Sequence, residues 1–410
     1  MSELVLINVS GRDKPGLTSE ITGIMGRYDV RILDIGQAVI HDHLTWGILA
    51  EIPDESNAPH VIRDVMFRLH ALDLQVHFAP ITEAEYQQWA AGRNRACYIV
   101  TLLARDIKAE HIARVSEITA RHGLNIDNIT RLSARPSLNP ADNRIACIEF
   151  SVRGTPDDLE TLRTDFLKIA GDLNVDIAFQ EDSIFRRNRR LVVFDMDSTL
   201  IEAEVIDELA REAGVGDQVA EITERAMQGE LDFSESFAER LALLKGLDEA
   251  VLQSIAGRLK MTEGAEHLIR TLKALGYRTA ILSGGFTYFA RYLQERLGID
   301  FVHANELAIE DGKVTGAVSG RIVDGQRKAE LLLEIAAREG VSPEQVIAVG
   351  DGANDLPMLS QAGLGVAFRA KPLVKESARH SISTLGLDAI LYLIGFRESD
   401  AVHTLKATQS

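Results

Sequence analysis

Apolar and polar positions alternate with two different periods along this chain. Residues 4–9 form an apolar run of strand length. Residues 17–28 carry Leu17, Ile21, Ile24, Met25 and Tyr28 at helical spacing. Between them, Gly11-Arg-Asp-Lys-Pro-Gly16 reads as a turn. Residues 30–40 and 46–52 predict two strands, 61–69 a second helix and 74–78 a closing strand. The order is βαββαβ, and it recurs after Cys97. There the pattern predicts a strand over 98–103, a helix over 111–122, strands over 125–132 and 144–152, a helix over 156–170 and a strand over 175–178. Arg12-Asp13 and Arg105-Asp106 lie 93 residues apart and set the period. Two tandem ferredoxin-like units follow, over residues 1–82 and 96–182.

From Leu191 the pattern changes to continuous apolar runs separated by amphipathic helices. That is the signature of an α/β domain with a Rossmann-like parallel sheet, here over residues 190–396. The basic junction Phe185-Arg-Arg-Asn-Arg-Arg190 reads as a solvated linker, with an anion patch as the alternative. A length of 410 residues accommodates these three domains. The net charge of −17 argues against a broad nucleic-acid surface. Cys97 and Cys147 cannot build a disulfide framework or a four-cysteine zinc site, and they fit a reducing compartment. No apolar run approaches the ~18 residues needed to span a bilayer. The start of the chain has no basic segment followed by a long apolar one, so the expectation is a cytoplasmic protein without a membrane partner.

The chemistry-bearing residues follow the apolar runs. Leu191-Val-Val-Phe194 ends in Asp195-Met-Asp197-Ser-Thr-Leu200, with two carboxylates on one side of an extended chain. At the carboxyl end of a parallel strand they face the crevice where such sheets bind ligands. Paired carboxylates repel unless a cation or proton sits between them, and oxygen ligands of this kind suit Mg²⁺. Alone, the pair also fits a plain turn. Residues 279–282 form a strand ending in Ser283-Gly284-Gly285, whose glycines let backbone N–H groups approach an anion. Lys328 opens an amphipathic helix over 329–338, and a lone Lys there reads equally as solvated surface. Residues 346–349 form a strand ending in Gly350-Asp351-Gly-Ala-Asn354-Asp355.

In combination and in this order, the set resembles the haloacid dehalogenase-like phosphohydrolases, over roughly residues 190–395. The resemblance implies Asp195 as a nucleophile that forms an aspartyl-phosphate, and Asp197 as general acid and then base. It implies Mg²⁺ held by Asp195, the main-chain carbonyl of Asp197 and Asp351. Ser283, Gly284 and Lys328 would bind the transferring phosphoryl group. Asp355 would orient Lys328 or a water on the metal, and Asn354 would contact substrate.

A helical insertion between Thr199 and about Lys273, at about 202–272, looks like a cap over the site. Its Glu204, Met227, Phe233 and Arg240 resemble those of the phosphoserine phosphatases within that superfamily. Glu204 would pair with a substrate ammonium and Arg240 with a carboxylate, while Met227 and Phe233 wall the pocket. The bland alternatives are surface charge for Glu204, a pair with Glu235 or Glu239 for Arg240, and cap core for the other two. Asp311-Gly312 predicts a hairpin turn between 307–309 and 313–315, either a flap beside the site or a hairpin without contact to substrate.

Gly11-Arg-Asp13-Lys-Pro-Gly16-Leu-Thr resembles the opening of an ACT domain. That implies an amino-acid ligand at the turn, with Asp13 and Gly16 beside it, and a homodimer. L-serine is the expected regulatory ligand. The second unit reads Ala104-Arg-Asp-Ile-Lys-Ala109 and lacks Pro-Gly, so a purely structural role is its alternative. Arg121-His-Gly123 spells the triplet of histidine phosphatases, but its setting reads as a helix end. The expected activity is Mg²⁺-dependent hydrolysis of O-phospho-L-serine to L-serine and phosphate, the last step of serine biosynthesis. The alternatives are another small phosphomonoesterase, a phosphotransferase that passes the phosphoryl group to homoserine, or an amino-acid sensor with a vestigial catalytic domain.

Overall fold

The computed structural model describes residues 2–92, 96–135, 144–228 and 230–399, and of Met227 only the backbone. The chain divides into two compact units, Met1–Arg95 and Ala96–Ser410.

The first unit runs β1 (Glu3–Arg12), α1 (Leu17–Gly26), β2 (Arg31–Ile40), β3 (His43–Ile52), α2 (Ala58–Ala71), β4 (Leu74–Ile81) and α3 (Glu83–Gly92). Its antiparallel sheet has the order β2-β3-β1-β4. Ile7, Ile21, Trp46, Ile48 and Val65 are buried in the core between sheet and helices. Gly16 caps α1 at φ 93°, a left-handed conformation that favours glycine. Helix α3 was not expected, because none of its side chains is buried to give a period. Its signal is the start: Thr82 and Glu85 exchange hydrogen bonds as a capping box.

The second unit opens with β5 (Cys97–Ala104), α4 (Ala109–Arg121), β6 (Leu124–Arg131), β7 (Ala146–Gly154), α5 (Leu159–Leu173) and β8 (Asp176–Glu181). The sheet order β6-β7-β5-β8 repeats that of the first unit. Gly123 lies just past α4 at φ 70°, and His122 sits 3.0 Å from Asp165, so the Arg-His-Gly triplet is a helix end.

The larger domain then begins with β9 (Leu191–Phe194) and the cap helices α6 (Val205–Glu212), α7 (Gly216–Met227), α8 (Phe233–Ala242) and α9 (Ala250–Arg258). It continues through α10 (Ala265–Ala274), β10 (Arg278–Phe286), α11 (Thr287–Leu297), β11 (Phe301–Glu310), β12 (Lys313–Ser319), α12 (Gly325–Arg338) and β13 (Val346–Gly350). It closes with α13 (Leu356–Gln361), β14 (Leu364–Phe368), α14 (Pro372–Ser377), β15 (His380–Ile382) and α15 (Ile390–Leu393). The seven strands are ordered β12-β11-β10-β9-β13-β14-β15, parallel except for β12. All four residues of β9 are fully buried, as expected of a strand covered on both faces. The chain winds outward from β9 first through β10 and later through β13. Their carboxyl ends therefore flank a topological switch point.

The cap joins the core through a two-stranded neck. Ile201 pairs with Met261, Glu202 N–H donates to Lys260 O at 2.9 Å, and Thr262 N–H donates to Leu200 O at 3.0 Å. The β11–β12 hairpin turns at Asp311 (φ 49°) and Gly312 (φ 73°). It is no open flap: Gly246 N–H donates to Val314 O at 2.8 Å and Glu249 N–H to Gly312 O at 3.0 Å, bracing the cap.

The second ferredoxin-like sheet is fastened to the edge of the large one. The Asp176 carboxylate accepts from Ser383 N–H at 2.7 Å, and from Thr384 N–H at 3.0 Å and its hydroxyl at 2.7 Å. Gln180 Nε2 donates to Leu393 O at 3.0 Å. The basic junction is a correction to the linker reading. Arg186 is buried and paired with Glu149, and Arg189 is buried with its guanidinium on the carbonyls of Glu344 and Gly363. Arg186 ties the junction to the second ferredoxin-like sheet and Arg189 ties it to the large domain, so neither meets solvent.

Near this seam His380 is buried. Burial first, then the charges of Arg163, Arg189 and Arg379, push its pKa down to about 3. Unfolded, it takes a proton below about pH 6.5. The stability it contributes is therefore present above that pH and lost as pH falls toward about 3. Relative to the wild type, His380→Gln should gain about 2 kcal/mol between about pH 7.5 and pH 5. Thermal unfolding at both pH values checks this, and a gap in Tm that stays constant counts against it.

Candidate active site

Three strand ends and one helix meet at the switch point. Asp195 directly follows β9, and its N–H donates to Val349 O on β13 at 2.9 Å. Its Oδ1 accepts from Met196 N–H at 2.7 Å. Asp355 lies in the turn after β13, fully buried, where its Oδ2 accepts from Gly352 N–H at 2.9 Å. Lys328 does not open its helix as expected. Helix α12 starts at Gly325, with Asp324 accepting from Arg327 N–H at 2.7 Å as its cap. Lys328 thus lies a turn inside and points into the core. Its ammonium is fully buried, 2.8 Å from Asp195 Oδ2 and 2.7 Å from Asp355 Oδ1. The solvated-surface reading fails.

Asp351 faces the same point. Asp195, Asp351 and Asp355 each place a carboxylate oxygen within 4.8 Å of the others. Thr199 Oγ1 donates to Asp351 Oδ1 at 2.9 Å and fixes its rotamer. Burial, and then the Asp355 charge, push Asp195 well above the usual carboxylate range, with Lys328 opposing. The same two causes raise Asp351 to about 7. Asp197 is also raised well above its usual value, by burial and then by Glu204. Burial alone would lower Lys328, but the charges of Asp195 and Asp355 outweigh it and hold the ammonium protonated.

Asp197 is aimed by backbone. Its Oδ1 accepts from Val205 N–H, the first residue of α6, at 3.0 Å. Gly285 makes room for the other oxygen: a methyl group there would collide with Asp197 Oδ2 and the Met196 side chain. Ser283 is buried, and its Oγ accepts from Gly285 N–H at 2.9 Å. Asn305, which sequence reasoning missed, clamps this loop. Its Nδ2 donates to Gly284 O and its Oδ1 accepts from Val323 N–H, both at 2.8 Å. Nothing local marks Asn305, because both partners are distant in sequence.

Across a cleft of about 700 Å³ the cap supplies a different chemistry. Ser198 adopts φ 54° and donates through Oγ to Glu204 Oε1 at 2.7 Å. Burial raises the Glu204 pKa, partly offset by that hydrogen bond. Arg240 Nε donates to Ser236 O at 3.2 Å, and its guanidinium faces the charges of Asp207, Glu204 and Asp197. It pairs with neither Glu235 nor Glu239: Glu235 caps α8 with Asp232, and Glu239 pairs with Arg225. Phe233 lies over Gly284 and stacks on Phe237 with ring centres 5.9 Å apart. Asn354, Asp207 and Lys371 also line the cleft. Of these, Asp207 and Lys371 were not singled out in the sequence. The Met227 side chain lies outside the described residues. Asp13 and Gly16 belong to the first unit, in the β1–α1 turn, where Asp13 N–H donates to Asp42 O at 2.8 Å. Among the described residues no helix is long and apolar enough to cross a membrane.

Comparison with known proteins agrees with this arrangement. Residues 189–363 match the haloacid dehalogenase-like hydrolase family, and residues 3–79 and 96–180 match ACT domain families. The chain is 42% identical over 403 residues to a phosphoserine phosphatase of Streptomyces coelicolor, covering 98% of this chain and 95% of that one. It is 40% identical over 392 residues to one from Mycobacterium tuberculosis, covering 95% and 93%. Among solved structures it resembles a probable phosphoserine phosphatase from Vibrio cholerae, with TM-score 0.58 and 36% identity over 76% of this chain and 89% of that one.

Gly285→Ala should displace Asp197 and lower phosphomonoester hydrolysis about 10²-fold without unfolding the protein. Rates at the wild-type level, with an unchanged circular dichroism spectrum, would show that the close approach of Gly285 to Asp197 is unimportant.

Proposed function

Because the chain belongs to the phosphoserine phosphatases of the haloacid dehalogenase-like hydrolases, and is a phosphoric monoester hydrolase, we propose that it converts O-phospho-L-serine to L-serine and phosphate. The observation that carries this reading is the division of one cleft. Asp195 and Asp351, with Lys328 buried behind Asp195, lie on the core side of the cleft, opposite the Glu204 carboxylate and the Arg240 guanidinium on the cap. Phosphoserine presents a phosphate, an ammonium and a carboxylate: Glu204 opposes the ammonium, Arg240 opposes the carboxylate, and Lys328 together with a cation on the core carboxylates would oppose the phosphate.

The Asp195 carboxylate attacks phosphorus, and the bond from phosphorus to the serine oxygen breaks. Asp197, whose carboxyl is held above its usual range by burial and then by the Glu204 charge, gives its proton to the leaving alkoxide. Water then attacks phosphorus, Asp197 takes up a proton, and the Asp195 carboxylate leaves as phosphate departs. Lys328, Ser283 and the Gly284 backbone hold the phosphoryl oxygens through both steps. Asn354 contacts the substrate, and Asp355 orients Lys328. Phe233 and Met227 wall the cleft. The carboxylates at the switch point raise one another's pKa values, a local deficit of positive charge that suits a hard cation. Asp195, the Asp197 carbonyl and Asp351 would hold Mg²⁺, which when bound supplies positive charge against the phosphoryl oxygens.

The reaction would be the last step of serine biosynthesis, carried out in the cytoplasm. The Asp13–Gly16 turn would bind L-serine as a feedback signal. A homodimer is supported by the edge strand β2, which exposes Ile32, Ile35, Val39 and Ile40.

Phosphate release from O-phospho-L-serine should require Mg²⁺, stop with EDTA, and exceed release from other small esters. Asp195→Asn should lower kcat by ~10⁴-fold or more. Arg240→Ala should lower kcat/KM about 10- to 100-fold for phosphoserine while sparing an ester without the carboxylate. Equal losses on both esters would remove the carboxylate role. For regulation, Gly16→Val should weaken inhibition by L-serine about tenfold at unchanged basal kcat. Unchanged inhibition would clear that turn of the role.

A further inference from the structure

The seam between the second ferredoxin-like sheet and the large domain encloses another cavity, of about 110 Å³. Among the described residues it shares no lining residue with the catalytic cleft. Arg163 on α5 lines one side, and Lys375, Arg379 and His380 line the other. Two carboxylates also border it. Glu160 is 83% exposed and already holds Arg163 Nη1 at 2.8 Å, and Glu376 is exposed.

Two buried polar atoms in this wall have no hydrogen-bond partner: Nδ1 of His380 and Nε of Arg163. His380 is only 7% exposed. Buried polar groups are nearly always paired, so two unmade bonds in residues that line one cavity leave hydrogen-bonding capacity beside it. Burial first, and then the surrounding guanidinium charges, keep the His380 ring neutral, and those charges favour an anion there. At about 30 Å³ per water, the cavity has room for three or four waters or for one small oxyanion.

The cavity also has a mechanical connection. Helix α14 is six residues long. Leu373 and Val374, with Lys371 just before the helix, line the catalytic cleft, while Lys375–Ser377 line the seam cavity. One short helix thus forms a wall of both.

We propose that the seam cavity binds a small oxyanion, a phosphate or a carboxylate group, through Arg163, Arg379 and His380, and that α14 carries its occupancy to the cleft. This goes beyond the phosphatase reading, and its binding test needs no turnover. The full chain is titrated calorimetrically with inorganic phosphate and separately with L-serine, beside the Arg163→Gln/Arg379→Gln variant. For one of the two ligands the wild type should bind one equivalent more than the variant. Loss of the phosphate equivalent identifies phosphate as the ligand, and loss of the serine equivalent identifies the carboxylate. That ligand should also lower kcat in the wild type, whereas in the variant it should only raise KM. Equal stoichiometry for both ligands in wild type and folded variant overturns the site. Loss of a site with an unchanged inhibition pattern overturns the coupling through α14. If the double variant does not fold, the single Arg379→Gln change at an exposed residue decides by the same readings.

Discussion

The site depends on one buried cation. The Lys328 ammonium has no access to water, and burying an unpaired charge is strongly unfavourable. It is tolerated because Asp195 and Asp355 close on it from two sides. Those carboxylates follow two neighbouring parallel strands, and the lysine comes from the first turn of a helix between them in sequence. One ion cluster therefore fixes where β9 ends, where β13 ends and how deeply α12 is seated. Without the ammonium, the carboxylates at the switch point would face one another unscreened, and the geometry that presents Asp195 to the cleft would have no support.

Around this cluster the molecule separates two tasks. The core supplies groups suited to any phosphate ester, and their alignment comes from backbone and from neutral side chains. Val205 N–H aims Asp197, Thr199 fixes Asp351, and Asn305 holds the glycine loop. The cap supplies groups that read the rest of the substrate. Ser198 joins the two tasks, because it sits in the turn after the nucleophile and holds Glu204. Its left-handed backbone is costly for a residue with a side chain, and it turns the chain sharply from the core toward the cap.

Much of this was legible because the strands of a parallel sheet are buried on both faces. Residues 191–194 and 346–349 are unbroken apolar runs, and the residues directly after them are the ones that face the crevice. The repeat of the ferredoxin-like units was legible for a similar reason, since both cores require the same periodic positions. What escaped notice depends on partners far apart in sequence. The depth of Lys328 belongs here too: it was singled out only by its place in the motif set, and its local pattern is that of an ordinary helical lysine until Asp195 and Asp355 are placed beside it. Asn305 has no local signature. Arg186 and Arg189 resemble a solvated linker until Glu149 and the carbonyls of Glu344 and Gly363 surround them. Helix α3 escaped because its signal lies in capping, not in burial.

The two-stranded neck at Ile201 and Met261 has a consequence for how such a molecule can change over evolutionary time. The neck holds the two ends of the cap side by side, at the spacing of paired strands. Whatever is inserted between them leaves the core chain path unaltered. Chemistry and selectivity are thus written in separable stretches of one gene, and a new insert could redirect the same phosphoryl machinery to another ester. The backbone bonds from Val314 and Gly312 to the α8–α9 loop limit that freedom. Any replacement must also offer a segment that docks on the hairpin, so the exchangeable part is the cap together with its brace.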